Sequence, residues 1–251
     1  MSHPTVINLD ALRKSCGQCS LQELCLGGGV NARDLQSLEE LVKNRRPMKR
    51  GDSLYRAGMP MHSLFVAREG AFKTVSISES GDEQVIGFHM PGEIMGLDGL
   101  GDGRHRCETL ALEDAQVCEV PYQDLERVAA QIPSLQHQLF KVMGRSMGRD
   151  QDHLEMLGRR HATERVALML HSMSARLEQL NRPHLSFSLS MSREEIASYL
   201  GLVIETVSRT FSRLQDDGVI KVQGRKVSLL DPARLAALVH EGDERRSSRA
   251  S

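Results

Sequence analysis

Ser192-Arg193-Glu194-Glu195-Ile196-Ala197-Ser198-Tyr199-Leu200-Gly201-Leu202-Val203-Ile204-Glu205-Thr206-Val207-Ser208-Arg209 is the stretch whose reading decides the fold. Ser192 and Glu195 match a capping box: the serine hydroxyl accepts from the backbone N–H of Glu195, and the carboxylate reaches back. Ile196, Ala197, Tyr199 and Leu200 give the helix that follows an apolar face. Gly201 supplies a sharp turn between helices. A second helix is predicted over Val203 to Leu214, with Val207, Phe211 and Leu214 on one side. Ala197 is small enough to let that helix approach, and branched Val207 fills the crossing. Beyond it, a two-residue turn at Gln223-Gly224 joins Ile220–Val222 to Lys226–Leu229 as a β-hairpin wing. The pattern is a winged helix-turn-helix.

The outer face of the second helix presents Glu205, Ser208, Arg209 and Ser212. These side chains suit base edges in a major groove. Arg209 can donate a bidentate pair to guanine O6 and N7, and Glu205 can accept from cytosine N4. Bulk charge gives no such hint. The 251 residues carry 32 Lys plus Arg against 33 Asp plus Glu, a net charge of -1. Non-specific binding should therefore be modest. Affinity should depend on a dimer that binds two half-sites about 34 Å, or a multiple, apart.

Upstream, from about Lys49 to Tyr122, short alternating runs are separated by turn signals such as Glu69-Gly70, Ser80-Gly81-Asp82 and Pro91-Gly92-Glu93. Short strands with Gly-rich turns indicate a small barrel or jelly roll. Val117–Pro121 is expected as its last strand. A long helix is predicted from about Pro133 to Leu157, with an apolar stripe of Leu135, Leu139, Val142, Met143, Met147, Leu154 and Leu157. A one-sided stripe between two domains fits a parallel dimer seam. Leu139, Met143, Met147, Asp150 and Leu154 are the expected interface residues. Asp150 would there face its own mate and repel it, unless it is rotated to the rim. A second helix (Thr163 to Leu180), a turn at Pro183 and a strand at Leu185–Leu189 lead into the capping box. The fold class is α+β: an N-terminal β-roll, a long dimerisation helix and a C-terminal winged helix-turn-helix. The expected divisions are residues 1–30, 31–131, 132–160, 161–240 and a disordered polar tail, 241–251.

Cys16-x2-Cys19-x5-Cys25 crowds three thiols into ten residues, with Cys107 and Cys118 far downstream. An odd cysteine count argues against a disulfide framework. A Cys-x2-Cys turn can aim two thiolates at one centre, and Cys25 can reach the same centre. Structural zinc and iron-sulfur clusters both usually take four ligands, and the spacing alone does not separate them. Cys118, on the last strand, is favoured as the fourth ligand over Cys107, which lies beside the turn signal Gly101-Asp102-Gly103. Gly27-Gly28-Gly29 is taken as a flexible link, because no Lys-Ser/Thr follows to make a phosphate loop.

Composition is that of an ordinary globular chain, 40% apolar and 26% charged. No apolar run approaches the roughly 20 residues that span a bilayer. The start lacks the basic-then-apolar plan of a signal peptide. A cytoplasmic protein with reduced thiols is expected. Without a nucleotide-binding loop, a catalytic triad or a second cluster motif, a redox enzyme or electron carrier is a poor reading. It also leaves the helix-turn-helix unexplained.

Taken together, the sequence resembles the FNR branch of the FNR–CRP transcription regulators, from Cys16 to about Asp231. The resemblance is carried by the cysteine spacing, Gly81-Asp82-Glu83-Gln84-x3-Phe88-His89, Val117-Cys118-Glu119-Val120-Pro121, Asp150-Gln151-Asp152 and Tyr199 to Arg209. It implies a homodimer that carries an oxygen-labile [4Fe-4S] cluster on Cys16, Cys19, Cys25 and Cys118. It implies base reading by Glu205, Ser208 and Arg209 on a TTGAT-type palindrome in double-stranded promoter DNA. It makes Asp150 a family acidic residue of the dimer helix, and the loop from Ser78 to Asp82 a surface for RNA polymerase. Cys107 departs from the pattern. So does Glu108, with Thr109, where the cyclic-nucleotide branch carries an Arg-Ser or Arg-Thr pair; a carboxylate there repels a cyclic phosphate. That branch also has Arg where this chain has Ile204. A zinc-stabilised regulator without oxygen sensing is the alternative.

Overall fold

The computed structural model describes Cys16 and residues 19–42, 44–159 and 161–247. Residues 1–15 and 248–251 of the expected terminal segments lie outside the described residues.

Eight strands form the β-roll: β1 (Asn44–Met48), β2 (Ser53–Tyr55), β3 (Ser63–Glu69), β4 (Phe72–Ile77), β5 (Glu83–His89), β6 (Ile94–Met95), β7 (Glu108–Ala111) and β8 (Ala115–Pro121). They make two four-stranded sheets, β1-β8-β3-β6 and β2-β7-β4-β5. Met48, Leu54, Phe65, Phe72, Ala111 and Val117 fill the space between them. Alternation along β8 decides what each face does. Ala115 and Val117 point into the roll, whereas Cys118 and Val120 point outward, toward the N-terminal segment.

The outer faces of the two sheets are covered by different things. Over the β1-β8-β3-β6 face lie the cysteine segment, α1 (Ala32–Leu41), α2 (Tyr122–Ala129) and the first half of α3 (Pro133–Gly158). Asn31 caps α1, its side chain accepting from the Asp34 amide. Over the other face, Val75, Val85, Phe88 and Leu112 join the core of the C-terminal region. That region comprises α4 (Ala162–Gln179), β9 (Ser186–Ser188), α5 (Arg193–Leu200), α6 (Ile204–Asp216), β10 (Ile220–Gln223), β11 (Lys226–Leu229) and α7 (Pro232–Ser247).

Three details differ from the sequence reading. The wing turn is Gly224-Arg225 rather than Gln223-Gly224, because β10 extends through Gln223 and Gly224 takes φ +61. α7 runs to Ser247, past residue 241, where the disordered polar tail was expected to begin. Gly28 is no flexible link: a Cβ there would sit 2.5 Å from Gln138 Nε2 and 2.8 Å from the Glu23 carbonyl oxygen.

The single predicted stripe on α3 proves to be two faces. Leu135, Val142 and Met156 are buried inward, together with polar Gln138 and His153. Leu139, expected at the dimer seam, is partly buried and packs against the same inner core. Met143 is half-buried. Phe140, Met147 and Leu154 stand 63%, 61% and 68% exposed at seven-residue intervals, with Asp150 exposed between the last two.

The joint between β-roll and C-terminal region is polar as well as apolar. Arg176 of α4 forks onto Glu93, Nε to Oε1 at 2.9 Å and Nη2 to Oε2 at 2.7 Å, and Nη2 also donates to the Phe88 carbonyl. Burial would raise the Glu93 carboxyl, but Arg176 and Arg149 hold it below the usual carboxylate range. On α5, Ser198 Oγ accepts from the Val85 amide, and its carbonyl accepts from the Gln84 side chain.

Candidate functional sites: a thiol-lined pocket and a DNA-reading helix

The thiol pocket is assembled by two distant pieces of chain. Between Cys19 and Val30, successive turns are closed by Gln22 N to Cys19 O at 3.1 Å, Cys25 N to Leu21 O at 3.0 Å and Gly28 N to Cys25 O at 3.2 Å. Leu21, Leu26 and Val30 of this segment are buried, so the turns are seated on the sheet beneath. Cys118 sits opposite on β8, held between β1 and β3, where its register partners are Arg45 and Val66. Cys16, Cys19, Cys25 and Cys118 line one pocket whose remaining wall includes Leu38, Val66 and Val120. Cys107 is not among its lining residues. Its amide donates to Asp98 Oδ2 at 3.1 Å, and its half-buried thiol is pushed up by desolvation and by the Asp98 carboxylate.

Among the described residues, no three His, Cys, Asp or Glu side chains form a ready-made ion site. The four thiols instead surround a largely apolar space. Burial pushes the Cys25 thiol up to about 12, with the neighbouring cysteines adding to the effect. That thiol is protonated at neutral pH until something with a strong preference for thiolate displaces the proton. The donor chemistry, all sulfur with apolar walls, fits an iron-sulfur cluster, and soft thiolates also suit zinc.

The second site is α6. Val207, Phe211 and Leu214 are buried at 0%, 4% and 0% exposure, which turns Glu205, Ser208, Arg209 and Ser212 outward. Arg209 Nε donates to the Glu205 carbonyl at 3.3 Å, leaving its terminal nitrogens for other acceptors. The capping box on α5 is complete: Ser192 N donates to Glu195 Oε2 at 2.7 Å, and Glu195 N donates to Ser192 Oγ at 3.1 Å. Gly201 ends α5 in the left-handed conformation at φ +60. Two supports had no signature in the sequence reading. Arg165 of α4 clamps the turn by donating to the Leu200 carbonyl at 2.8 Å. Arg193 lies 3.6 Å over the Phe211 ring, which fixes α5 against α6 through a cation–π contact.

A β-roll joined by a long helix to a winged helix-turn-helix defines a class: sensor-linked, DNA-binding transcription regulators. Residues 164–238 match the Crp-like helix-turn-helix domain, and residues 45–131 match the cyclic nucleotide-binding domain. The chain is 44% identical to the transcriptional activator protein Anr of Pseudomonas protegens over 89% of its own length and 91% of the relative's. It is 34% identical to the fumarate and nitrate reduction regulatory protein of Escherichia coli, over 89% of each chain. Among solved structures, FixK2 from Bradyrhizobium japonicum aligns with a TM-score of 0.71 at 30% identity, covering 78% of this chain and 96% of that one. The chain belongs to the FNR-type branch of the FNR–CRP transcription regulators and is not an enzyme. No helix among the described residues is long and apolar enough to cross a membrane.

Proposed function

We propose that this regulator responds to oxygen through a [4Fe-4S] cluster held by Cys16, Cys19, Cys25 and Cys118. One observation carries the reading: four thiols from two distant parts of the chain line a single apolar pocket, while Cys107 stands apart. When bound, the cluster supplies an oxygen-labile crosslink between the N-terminal segment and β8. The chain's own part is to gather the thiols and give up their protons, against the burial that pushes the Cys25 thiol up.

Dimerisation is the second element of the proposal. Phe140, Met147 and Leu154 repeat every seven residues on the solvent side of α3, the spacing that two parallel helices bury between them. Asp150 lies on that side and meets its mate across a two-fold axis. Desolvation already raises its carboxyl, offset in part by Arg149 and His153, so pairing the helices costs additional free energy that cluster binding must offset. Once paired, two copies of α6 read a TTGAT-type palindrome with Glu205, Ser208 and Arg209.

Glu108 does not favour a cyclic nucleotide, and the nearby Asp98 adds a second carboxylate that is already engaged by the chain's own backbone. Glu108 is paired with Arg56 at 3.4 Å, and Asp98 Oδ2 already takes the amides of Arg106 and Cys107. The exposed loop from Ser78 to Asp82, closed by Ser78 N to Asp82 O at 3.0 Å, is the surface assigned to RNA polymerase. The setting is cytoplasmic.

The test is binding to a TTGAT-n4-ATCAA duplex, first anaerobically with reconstituted protein and then after exposure to air. Tight binding that is lost in air is expected. Equal binding by a colourless, zinc-containing protein in both conditions would give the pocket to structural zinc.

A further inference from the structure

We infer that Gln138 and Arg145 of α3 form the joint through which the thiol pocket controls how α3 is presented to a second copy of the chain. The inference deepens the proposed function and rests on the pocket being a cluster site. Gln138 is 3% exposed, and its Nε2 donates to the Cys25 carbonyl oxygen at 2.7 Å. One residue earlier in the loop, the Leu24 carbonyl oxygen accepts from Arg145 Nη1 at 3.3 Å. Cys25 is thus shared: its thiol lines the pocket while its carbonyl is held by the helix. Any shift of Cys25 toward a newly bound centre must carry Gln138 with it or break a buried hydrogen bond.

Nothing cushions this contact. Gly28 packs so closely that a methyl group there would overlap Gln138 Nε2 at 2.5 Å. Gln138, Val142 and Arg145 follow helical spacing along the inner face of α3. Phe140, Met147 and Leu154 occupy a different face, turned to solvent. A rigid helix couples the two, because rotating or sliding the inner face moves the outer one equally. Gln138 and Arg145 are positioning residues here, and neither is a ligand.

Gln138→Met keeps similar volume and removes the donor. The reconstituted variant should hold the same iron and sulfide per chain as the parent, while anaerobic sedimentation shows about tenfold weaker dimerisation, about 1.4 kcal/mol. Cluster loading should change hydrogen exchange at Phe140–Met147 in the parent and not in the variant. Gly28→Ala, which disturbs the contact from the loop side, should act the same way. If Gln138→Met dimerises like the parent when loaded, there is no joint. If it loses iron in proportion to dimer, Gln138 merely supports the loop, and the inference is equally wrong. Should that variant fail to fold by circular dichroism, Arg145→Met, at the more solvent-accessible bond, is read by the same criteria. A parent chain that takes up no iron overturns the cluster reading itself, and the joint falls with it.

Discussion

Replacing Phe140 with alanine should weaken dimerisation and leave the protomer's melting temperature unchanged, and the same change at its neighbour Leu139 should do the reverse. Phe140 exposes 63% of its surface in the protomer, whereas Leu139 packs on the core beneath the cysteine segment. Fully burying a large apolar side chain is worth about 1.5–3 kcal/mol, so the exposed two-thirds of Phe140 represents about 1–2 kcal/mol. A two-fold seam uses the residue twice, which gives about 2–4 kcal/mol per dimer, or roughly 30- to 1000-fold in the dissociation constant. Leu139→Ala instead leaves a cavity and should cost about 2 kcal/mol of protomer stability, the low end for a leucine that is only partly buried. Sedimentation of the anaerobic reconstituted protein measures the first quantity and thermal melting the second. An unchanged dimer constant for Phe140→Ala would show that the seven-residue stripe faces something other than a second copy.

Three further outcomes are expected. Arg209→Ala should cost about 1–3 kcal/mol at the guanine it reads and relax discrimination at that position, measured by titrating substituted duplexes. Cys118→Ser should take up no stoichiometric iron and sulfide, while Cys107→Ser should load like the parent; the opposite pattern in anaerobic assays would reassign the fourth thiol. The Asp150 carboxyl is raised in the folded chain, so the folded state holds its proton more tightly than the unfolded chain, and stability falls as pH rises through that raised value. Asp150→Ala should remove this slope and allow dimers in air, and a variant that sediments as a monomer in air would refute the repulsion.

The winged helix-turn-helix was legible because each of its local signals agrees with its neighbours. The capping box, the turn at Gly201 and the buried trio Val207, Phe211 and Leu214 all require the same two crossed helices. Strands β3, β4, β5 and β8 were readable from alternation and turn residues for the same reason. The stripe on α3 was only partly legible, because a helix that is apolar on two faces shows a blurred period. Periodicity alone did not single out Phe140, since it cannot say which face of a helix meets its own roll. The four thiols could be grouped by spacing and strand placement. Gln138, Arg145 and Arg165 could not be singled out, because each acts on a backbone carbonyl far away in the chain and such partners leave no pattern in a sequence.

Glu195 closes the capping box of α5 and also meets Lys73 of β4 at 2.9 Å, both side chains being 17% exposed. The amide of Ser192 and the ammonium of Lys73 hold its carboxyl low against the opposing effect of burial. One carboxylate therefore both starts the first helix of the helix-turn-helix and fastens that motif to the sensor. The consequence is a limit on modularity. A chimera that grafts a foreign winged helix onto this roll would leave the Lys73 cation without its carboxylate unless the incoming capping residue is an acid in the same place. A glutamine there could still close the box, yet it would not restore the ion pair. Exchange of reading heads between such regulators should succeed most readily where this pair of residues travels together.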